Sequence, residues 1–316
     1  MRRVGFCLVG AGAIAPKYVR AFKNSKEITL MGVHSRNEER GRLFAAKYEI
    51  KWFKNFEEVL KDKESKVVLI VTENETHGDI AMRVLDAGKH VVVEKPIDVD
   101  LKKAKRLVEK AKRKGLLLSV VSQLRFSPLV VETKKRLERG EFGKIKRIRI
   151  VYESLRALEY FRKSFWRNDP KKAGGGVVIM QVIHFLDILV YLFGVPKVKK
   201  AVIRSTRPWL KVEDECEALL KFENGIPCEL KASNNMKKKR IFLEIVGEKR
   251  RARISTSGYR NFLYNFPRMK NLKSGSLVMQ LEDVAHAIRS GREPFVKGED
   301  AVSVLSLVKE IYQRAD

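Results

Sequence analysis

Two glycines and an alanine, spaced as Gly10-x-Gly12-x-x-Ala15, stand between an apolar run over residues 4–9 and a stretch of helical periodicity. A turn of that spacing suits a pyrophosphate. The first glycine makes the turn, the second lets phosphate approach the backbone, and the small third residue lets the helix pack against the strand. The helix start adds free amide hydrogens and the positive end of its dipole. Gly10, Gly12, Ala13 and Ile14 are therefore read as a dinucleotide site. At the end of the next apolar run the chain reads Gly32-Val33-His34-Ser35-Arg36-Asn37, with no carboxylate to take ribose hydroxyls before Glu38. Ser35 followed by Arg36, whose guanidinium can grip a phosphate with two parallel bonds, predicts NADP, with NAD the alternative.

Positioning these residues falls to a strict alternation of short β-branched runs with helical patterns. The runs cover residues 4–9, 29–34, 67–72, 90–93 and 116–121, with a Lys-rich helix over 101–114 between the last two. Strand and helix in alternation mean βαβ units and a parallel sheet covered on both faces. Residues 1–122 are thus expected to form a Rossmann-type, NAD(P)-binding α/β domain. Beyond residue 122 the runs lengthen, to 145–154, 198–206, 215–223, 226–232 and 241–246, and Gly, Asn and Pro turns separate them. This predicts a second α/β domain over 123–316 with an open, mostly antiparallel sheet. Helices over 128–139, 176–193, 276–290 and 299–314 are expected to cover one face of it.

At 316 residues the chain has length for about two domains of ~150 residues, and its 44% hydrophobic content excludes disorder. The net charge of +28 concentrates anions near the surface, which suits phosphorylated cofactors, acidic sugars or nucleic acid, or else marks an ion-rich surface. Cys7, Cys216 and Cys228 are odd in number and lack C-x-x-C spacing, so neither disulfides nor a zinc site is expected and a reducing cytoplasm fits. Arg2 and Arg3 before an apolar run imitate a signal peptide, but the glycine spacing explains those residues better. The apolar stretch 177–193, interrupted by Gln181, His184 and Asp187, is a little short to span a bilayer and reads as a buried helix; no membrane association is expected.

Further residues carry a family resemblance. Gly88-Lys89-His90-Val91 leads into Glu94-Lys95-Pro96, and later come Trp166-Arg167, Gly174-Gly175-Gly176, His184-Phe185-Leu186-Asp187 and Gly298-Glu299-Asp300-Ala301. With the N-terminal glycine turn, this order over nearly the whole chain resembles the Gfo/Idh/MocA family of sugar and cyclitol oxidoreductases. The resemblance implies interconversion of a secondary alcohol and a ketone on a sugar, sugar-nucleotide or cyclitol. It makes Lys95 the lysine at the nicotinamide and His184 the proton-transferring residue, and adds Thr72, His77 and Glu94 to the coenzyme contacts. Alcohol oxidation needs a hydride acceptor, a base for the hydroxyl proton and a cation beside the developing alkoxide. His184 suits the second role near neutral pH and Lys95 the third.

Two departures stand out. Where the family usually has Asp four residues before the histidine, this chain has Met180, so Gln181 or Asp187, three residues either side, is left to orient His184. Glu73 replaces a frequent proline. Arg125, Tyr160, Trp166, Arg167, Gln181 and His184 are expected at the substrate. The stretch 156–163 resembles the part of sugar-nucleotide 3-dehydrogenases that approaches the hexose, which with the basic residues suggests an anionic, sugar-like small molecule. The family's open sheet face implies a homodimer or homotetramer. Rival readings are an NADP-binding redox sensor without turnover, motivated by Met180, and a nucleic-acid-binding protein using Lys237-Lys238-Lys239-Arg240 and Lys249-Arg250-Arg251. The latter lacks interleaved aromatics and is disfavoured.

Overall fold

An aliphatic run with no polar interruption makes a strand buried on both faces, and β1 (Val4–Val9) has all of its residues buried. The computed structural model describes residues 3–256, 262–263 and 275–315; Arg2 of the signal-like start lies outside them. After β1 the chain alternates as the sequence predicts: α1 (Ala15–Lys23), β2 (Ile28–His34), α2 (Glu38–Tyr48), β3 (Lys51–Trp52), α3 (Phe56–Lys61), β4 (Ser65–Ile70), α4 (His77–Asp86), β5 (His90–Val93), α5 (Leu101–Arg113) and β6 (Leu118–Val120). The six strands form one parallel sheet in the order β3-β2-β1-β4-β5-β6. Side chains of Asn37, Asn55 and Asp100 cap α2, α3 and α5 by accepting from first-turn amides.

Beyond this sheet come α6 (Pro128–Glu138), β7 (Ile145–Glu153), α7 (Leu158–Arg162), α8 (Pro170–Ala173) and α9 (Ile183–Phe193). Then follow β8 (Lys197–Arg204), β9 (Glu215–Lys221), β10 (Pro227–Ser233), β11 (Arg240–Gly247), β12 (Arg251–Ser255) and β13 (Phe262–Leu263). The second sheet runs β13-β12-β11-β7-β10-β9-β8, antiparallel except where β10 lies parallel to β7. Along β9, Cys216, Ala218 and Leu220 are buried while Glu217, Leu219 and Lys221 are exposed, so one face is open. β12 was not foreseen; its first residue, Arg251, reads only as the end of the basic cluster Lys249-Arg250-Arg251.

The chain divides into two compact units, Met1–Ser122 with Leu277–Val302, and Gln123–Ser276 with Ser303–Asp316. The expected second domain, 123–316, therefore loses residues 277–302 to the first unit. Helix α10 (Ser276–Ser290) buries Leu281, Val284 and Ala285 in one cluster with Phe6, Leu8 and Tyr18. Its Gln280 also serves the edge strand: Oε1 accepts from the Ser122 amide at 3.0 Å and Nε2 donates to the Val120 carbonyl at 2.8 Å. An apolar helical stripe demands a sheet to cover, but it does not say which one. The last helix, α11 (Gly298–Gln313), starts in the first unit and ends in the second.

The approach to α9 begins at Gly176, where a Cβ would overlap the backbone carbonyl oxygen of Glu213. Gly176→Ala is expected to destabilise the protein by about 1–3 kcal/mol. Gly12→Ala, whose Cβ would meet no atom within 4 Å, should leave the urea midpoint unchanged. Equal midpoints for the two variants would contradict this packing.

Candidate active site

Register places the residues expected to meet a coenzyme on one edge of the parallel sheet. Val120, Val93, Ile70, Val9 and His34 are paired in a row across β6, β5, β4, β1 and β2. One or two residues past that row stand Glu94 and Lys95 on β5, Thr72 on β4, Gly10 on β1, and Ser35 and Arg36 on β2. At ~4.8 Å per strand, β2 and β5 lie about 14 Å apart, a distance suited to a dinucleotide laid across the carboxyl ends. Gly10 has φ +114°, and a Cβ there would meet the Val71 carbonyl oxygen at 2.7 Å. Gly12 faces open space, and α1 starts at Ile14 with no side-chain cap and no acidic residue in its first turn. An uncapped helix start behind a glycine turn fits a pyrophosphate.

Arg36 and Glu73 reach across this turn and pair at 3.4 Å, with the arginine side chain 81% exposed. The two residues that the sequence singled out separately are thus partners.

Lys95 sits on a fixed turn. The Glu94 carboxylate accepts from the Tyr18 hydroxyl at 2.5 Å and from the Lys95 amide at 3.1 Å. The Lys95–Pro96 peptide is cis, and His77 Nδ1 donates to the Pro96 carbonyl at 2.7 Å, leaving Nε2 3.3 Å from the Thr72 carbonyl. His77 was expected to touch the coenzyme. Instead it is 1% exposed, and it ties the end of β4 to the turn that carries Lys95. Burial pushes its pKa down and keeps the ring neutral, so one nitrogen donates. Tyr18, which the sequence reading missed, is fully buried, and burial beside Glu94 raises its pKa well above the ordinary phenol value. Thr72 Oγ1 bonds Thr76 Oγ1 at 2.7 Å.

In the second unit, His184 is the second residue of α9, preceded by a π-helical turn over Val178–Val182 in which the Ile183 amide donates to the Val178 carbonyl. Gln181 Nε2 donates to the Tyr160 hydroxyl at 3.1 Å, and its Oε1 accepts from Asn234 Nδ2 at 3.2 Å. Asp187, the other candidate to orient His184, takes both nitrogens of Arg125 at 2.7 and 3.0 Å. Arg125 was expected at the substrate. It is 2% exposed and pairs with Asp187 in the interior. Arg167 Nη1 donates to the Tyr160 carbonyl at 2.9 Å, and its guanidinium lies 4.3 Å from the Tyr160 ring centre and 5.6 Å from that of Trp166. The fold therefore gathers Tyr160, Trp166, Arg167 and Gln181 and leaves Arg125 apart.

The start of this helix is held by Glu213, whose carboxylate accepts from the Gly176 amide at 2.6 Å, the Val178 amide at 3.1 Å and the Tyr312 hydroxyl at 2.7 Å. Burial raises its pKa. No local sequence signal links residues 37 apart, so Glu213 was not foreseen. The two basic clusters are partly neutralised within the fold, since Arg240 pairs with Glu153 and Arg251 and Arg253 both pair with Glu244.

Residues 4–122 match the model of an oxidoreductase family with an NAD-binding Rossmann fold, and residues 130–253 match that of the GFO/IDH/MocA C-terminal domain. The scyllo-inositol 2-dehydrogenase (NAD(+)) of Bacillus subtilis is 26% identical over 272 residues, 79% of this chain and 75% of that protein. Glucose-6-phosphate 3-dehydrogenase of the same organism is 27% identical over 223 residues, 70% of this chain and 62% of that protein. Oxidoreductases at 30% identity are matched over little more than half their length, 53% and 56%. Among solved structures, the WlbA dehydrogenase of Bordetella pertussis, in complex with NADH and UDP-GlcNAcA, superposes with a TM-score of 0.89 at 24% identity over 100% of this chain and 96% of that one. That likeness shows the fold.

Because His77 is buried neutral, the unfolded chain takes up a proton near pH 6.5 while the folded chain resists until lower pH. Stability is then full above pH 6.5 and falls as the pH drops below it. We expect His77→Gln to flatten that decline in urea titrations, at an intrinsic cost of about 1–3 kcal/mol at pH 8. An unchanged slope between pH 7 and 5, roughly the histidine range, would show that His77 is not the group responsible.

Proposed function

The chain belongs to the Gfo/Idh/MocA oxidoreductase family, and from that premise we propose that it is an NAD(P)-dependent dehydrogenase acting on a secondary alcohol of a sugar, sugar-nucleotide or cyclitol. The observation that carries the reading is the meeting of the glycine turn and the Lys95 turn at one sheet edge, in the register set by Val9, Ile70 and Val93. Similarity to proteins named as inositol and sugar-phosphate dehydrogenases supports it. When bound, the nicotinamide supplies the hydride acceptor. Gly10, Gly12, Ala13 and Ile14 hold the phosphates, and Lys95 supplies positive charge to the reacting oxygen. His184 takes the hydroxyl proton, as an imidazole can in general base catalysis. Tyr18, Glu94 and His77 are positioning residues for Lys95.

Coenzyme choice turns on Arg36. A surface ion pair is worth only about 0–1 kcal/mol, so the 2′-phosphate of NADP can draw Arg36 from Glu73, although the nearby carboxylate opposes it. The preferred reading is NADP, with NAD the alternative. Assembly as a homodimer or homotetramer is proposed through the open face of the second sheet. The buried free thiols Cys7, Cys216 and Cys228, pushed up to about 11, 12 and 12 by burial, are in keeping with a cytoplasmic location.

A screen of sugars and cyclitols following nicotinamide absorbance tests the reaction. On any substrate so found, His184→Ala should lower turnover roughly 10²- to 10⁴-fold while coenzyme binding survives; undiminished turnover would remove His184 from the chemistry. For the coenzyme, Arg36→Ala is expected to weaken NADP by about 1–3 kcal/mol and leave NAD nearly unchanged. Glu73→Gln should strengthen NADP. Coincident NAD and NADP titration curves for the unaltered protein would refute the preference.

A further inference from the structure

We propose that Arg156 and Arg167, with Arg207 behind them, form an oxyanion subsite that recognises a carboxylate or phosphate group on the substrate. The inference rests on the reading above only for the kind of molecule that carries the anion. Its frame is an aromatic row: the rings of Tyr160 and Phe161 lie 5.0 Å apart, and those of Phe161 and Trp209 5.4 Å apart, both edge-on. Three guanidinium groups rest on that row. Arg156 lies 5.2 Å and Arg167 4.3 Å from the Tyr160 ring centre, and Arg207 lies 4.8 Å from that of Trp209. Such faces hold a guanidinium in place without neutralising it.

The charge bookkeeping then leaves a surplus. Arg207 donates through Nε to Asp214 at 2.8 Å and through Nη1 to the Arg156 carbonyl at 2.6 Å. Arg156 donates to the Tyr152 hydroxyl at 2.9 Å, and Arg167 to the Tyr160 carbonyl. The partners of Arg156 and Arg167 are therefore neutral, in contrast to Arg125, which Asp187 neutralises with two bonds. Moreover, Arg156 Nε and Arg207 Nη2 are buried with no acceptor among the described residues. Buried N–H groups of a cation call for an acceptor, and an oxyanion meets them with charge-assisted, paired bonds that a neutral hydroxyl does not match. Asn234, 2% exposed, has the opposite need, because its Oδ1 is buried without a donor among the described residues while its Nδ2 holds Gln181. An anion next to a hydroxyl, as in a sugar acid or sugar phosphate, satisfies both. Gln181 joins this cluster to the helix of His184 through its bond to Tyr160.

The test is calorimetry on the coenzyme-loaded protein with neutral D-glucose against D-glucuronate and D-glucose 6-phosphate. At least one anionic sugar should bind about tenfold or more tightly than its neutral counterpart. The glucuronate and 6-phosphate arms tell carboxylate from phosphate. That advantage should vanish in Arg156→Gln and in Arg167→Gln, with coenzyme affinity and thermal midpoint unchanged. Arg156→Lys, which keeps the charge but loses Nε, should lose part of it. Neutral sugars binding as well as anionic ones, an advantage that survives both glutamine variants, or no binding of any anionic sugar would overturn the proposal. Nicotinamide reduction with neutral sugars alone would remove the subsite and leave the dehydrogenase reading standing. Anion binding that the variants abolish, with no reduction, would do the reverse.

Discussion

One buried carboxylate fixes the start of the helix that carries His184. Glu213 accepts from the amides of Gly176 and Val178 and from the Tyr312 hydroxyl, so the first turn of that helix hangs on a residue from a distant loop and another from the last helix. Helix starts have unpaired amides by construction, and a buried start without acceptors is costly. Because Glu213 approaches so closely, position 176 has no room for a side chain. The turn that follows, Val178–Val182, has π geometry, and its Gln181 bonds Tyr160 and Asn234, which links the aromatic and arginine cluster to the helix.

The first unit meets a parallel problem with hydrogen bonds. Lys95 follows the last strand residue by two positions, where a chain is ordinarily free to wander. Here the turn is clamped from both sides, by the Tyr18–Glu94 pair and by His77 on the Pro96 carbonyl. The His77 clamp is buried and the Tyr18–Glu94 pair partly so, and in such surroundings a hydrogen bond is stronger and a missing partner costs more. The clamps fix the backbone from which the Lys95 side chain starts.

Arginines in this protein do three different things, and composition cannot separate them. Arg125 is a buried structural cation paired with Asp187. Arg36 is exposed and loosely held by Glu73. Arg156 and Arg167 rest on an aromatic ring with neutral partners. Net charge draws anions to the molecule as a whole, but only the local balance decides which arginine has charge to spare.

Sequence by itself determined the parallel sheet, most strands of the second sheet and the glycine turn, because each rests on local periodicity or on a backbone requirement that short spacing records. It also picked out Lys95, His184, Arg36 and Glu73, and the stretch around Tyr160. Tertiary structure decided the rest. It sent α10 to the first unit, since an apolar stripe carries no address. It paired Arg36 with Glu73 from different strands, and it made β12 from a stretch whose first residue, Arg251, reads as the end of a basic cluster, because Glu244 on the neighbouring strand answers its charge. His77 and Arg125 changed from ligand contacts to internal ties for the same reason: burial and partner choice depend on residues far away in the chain, and local spacing does not encode them.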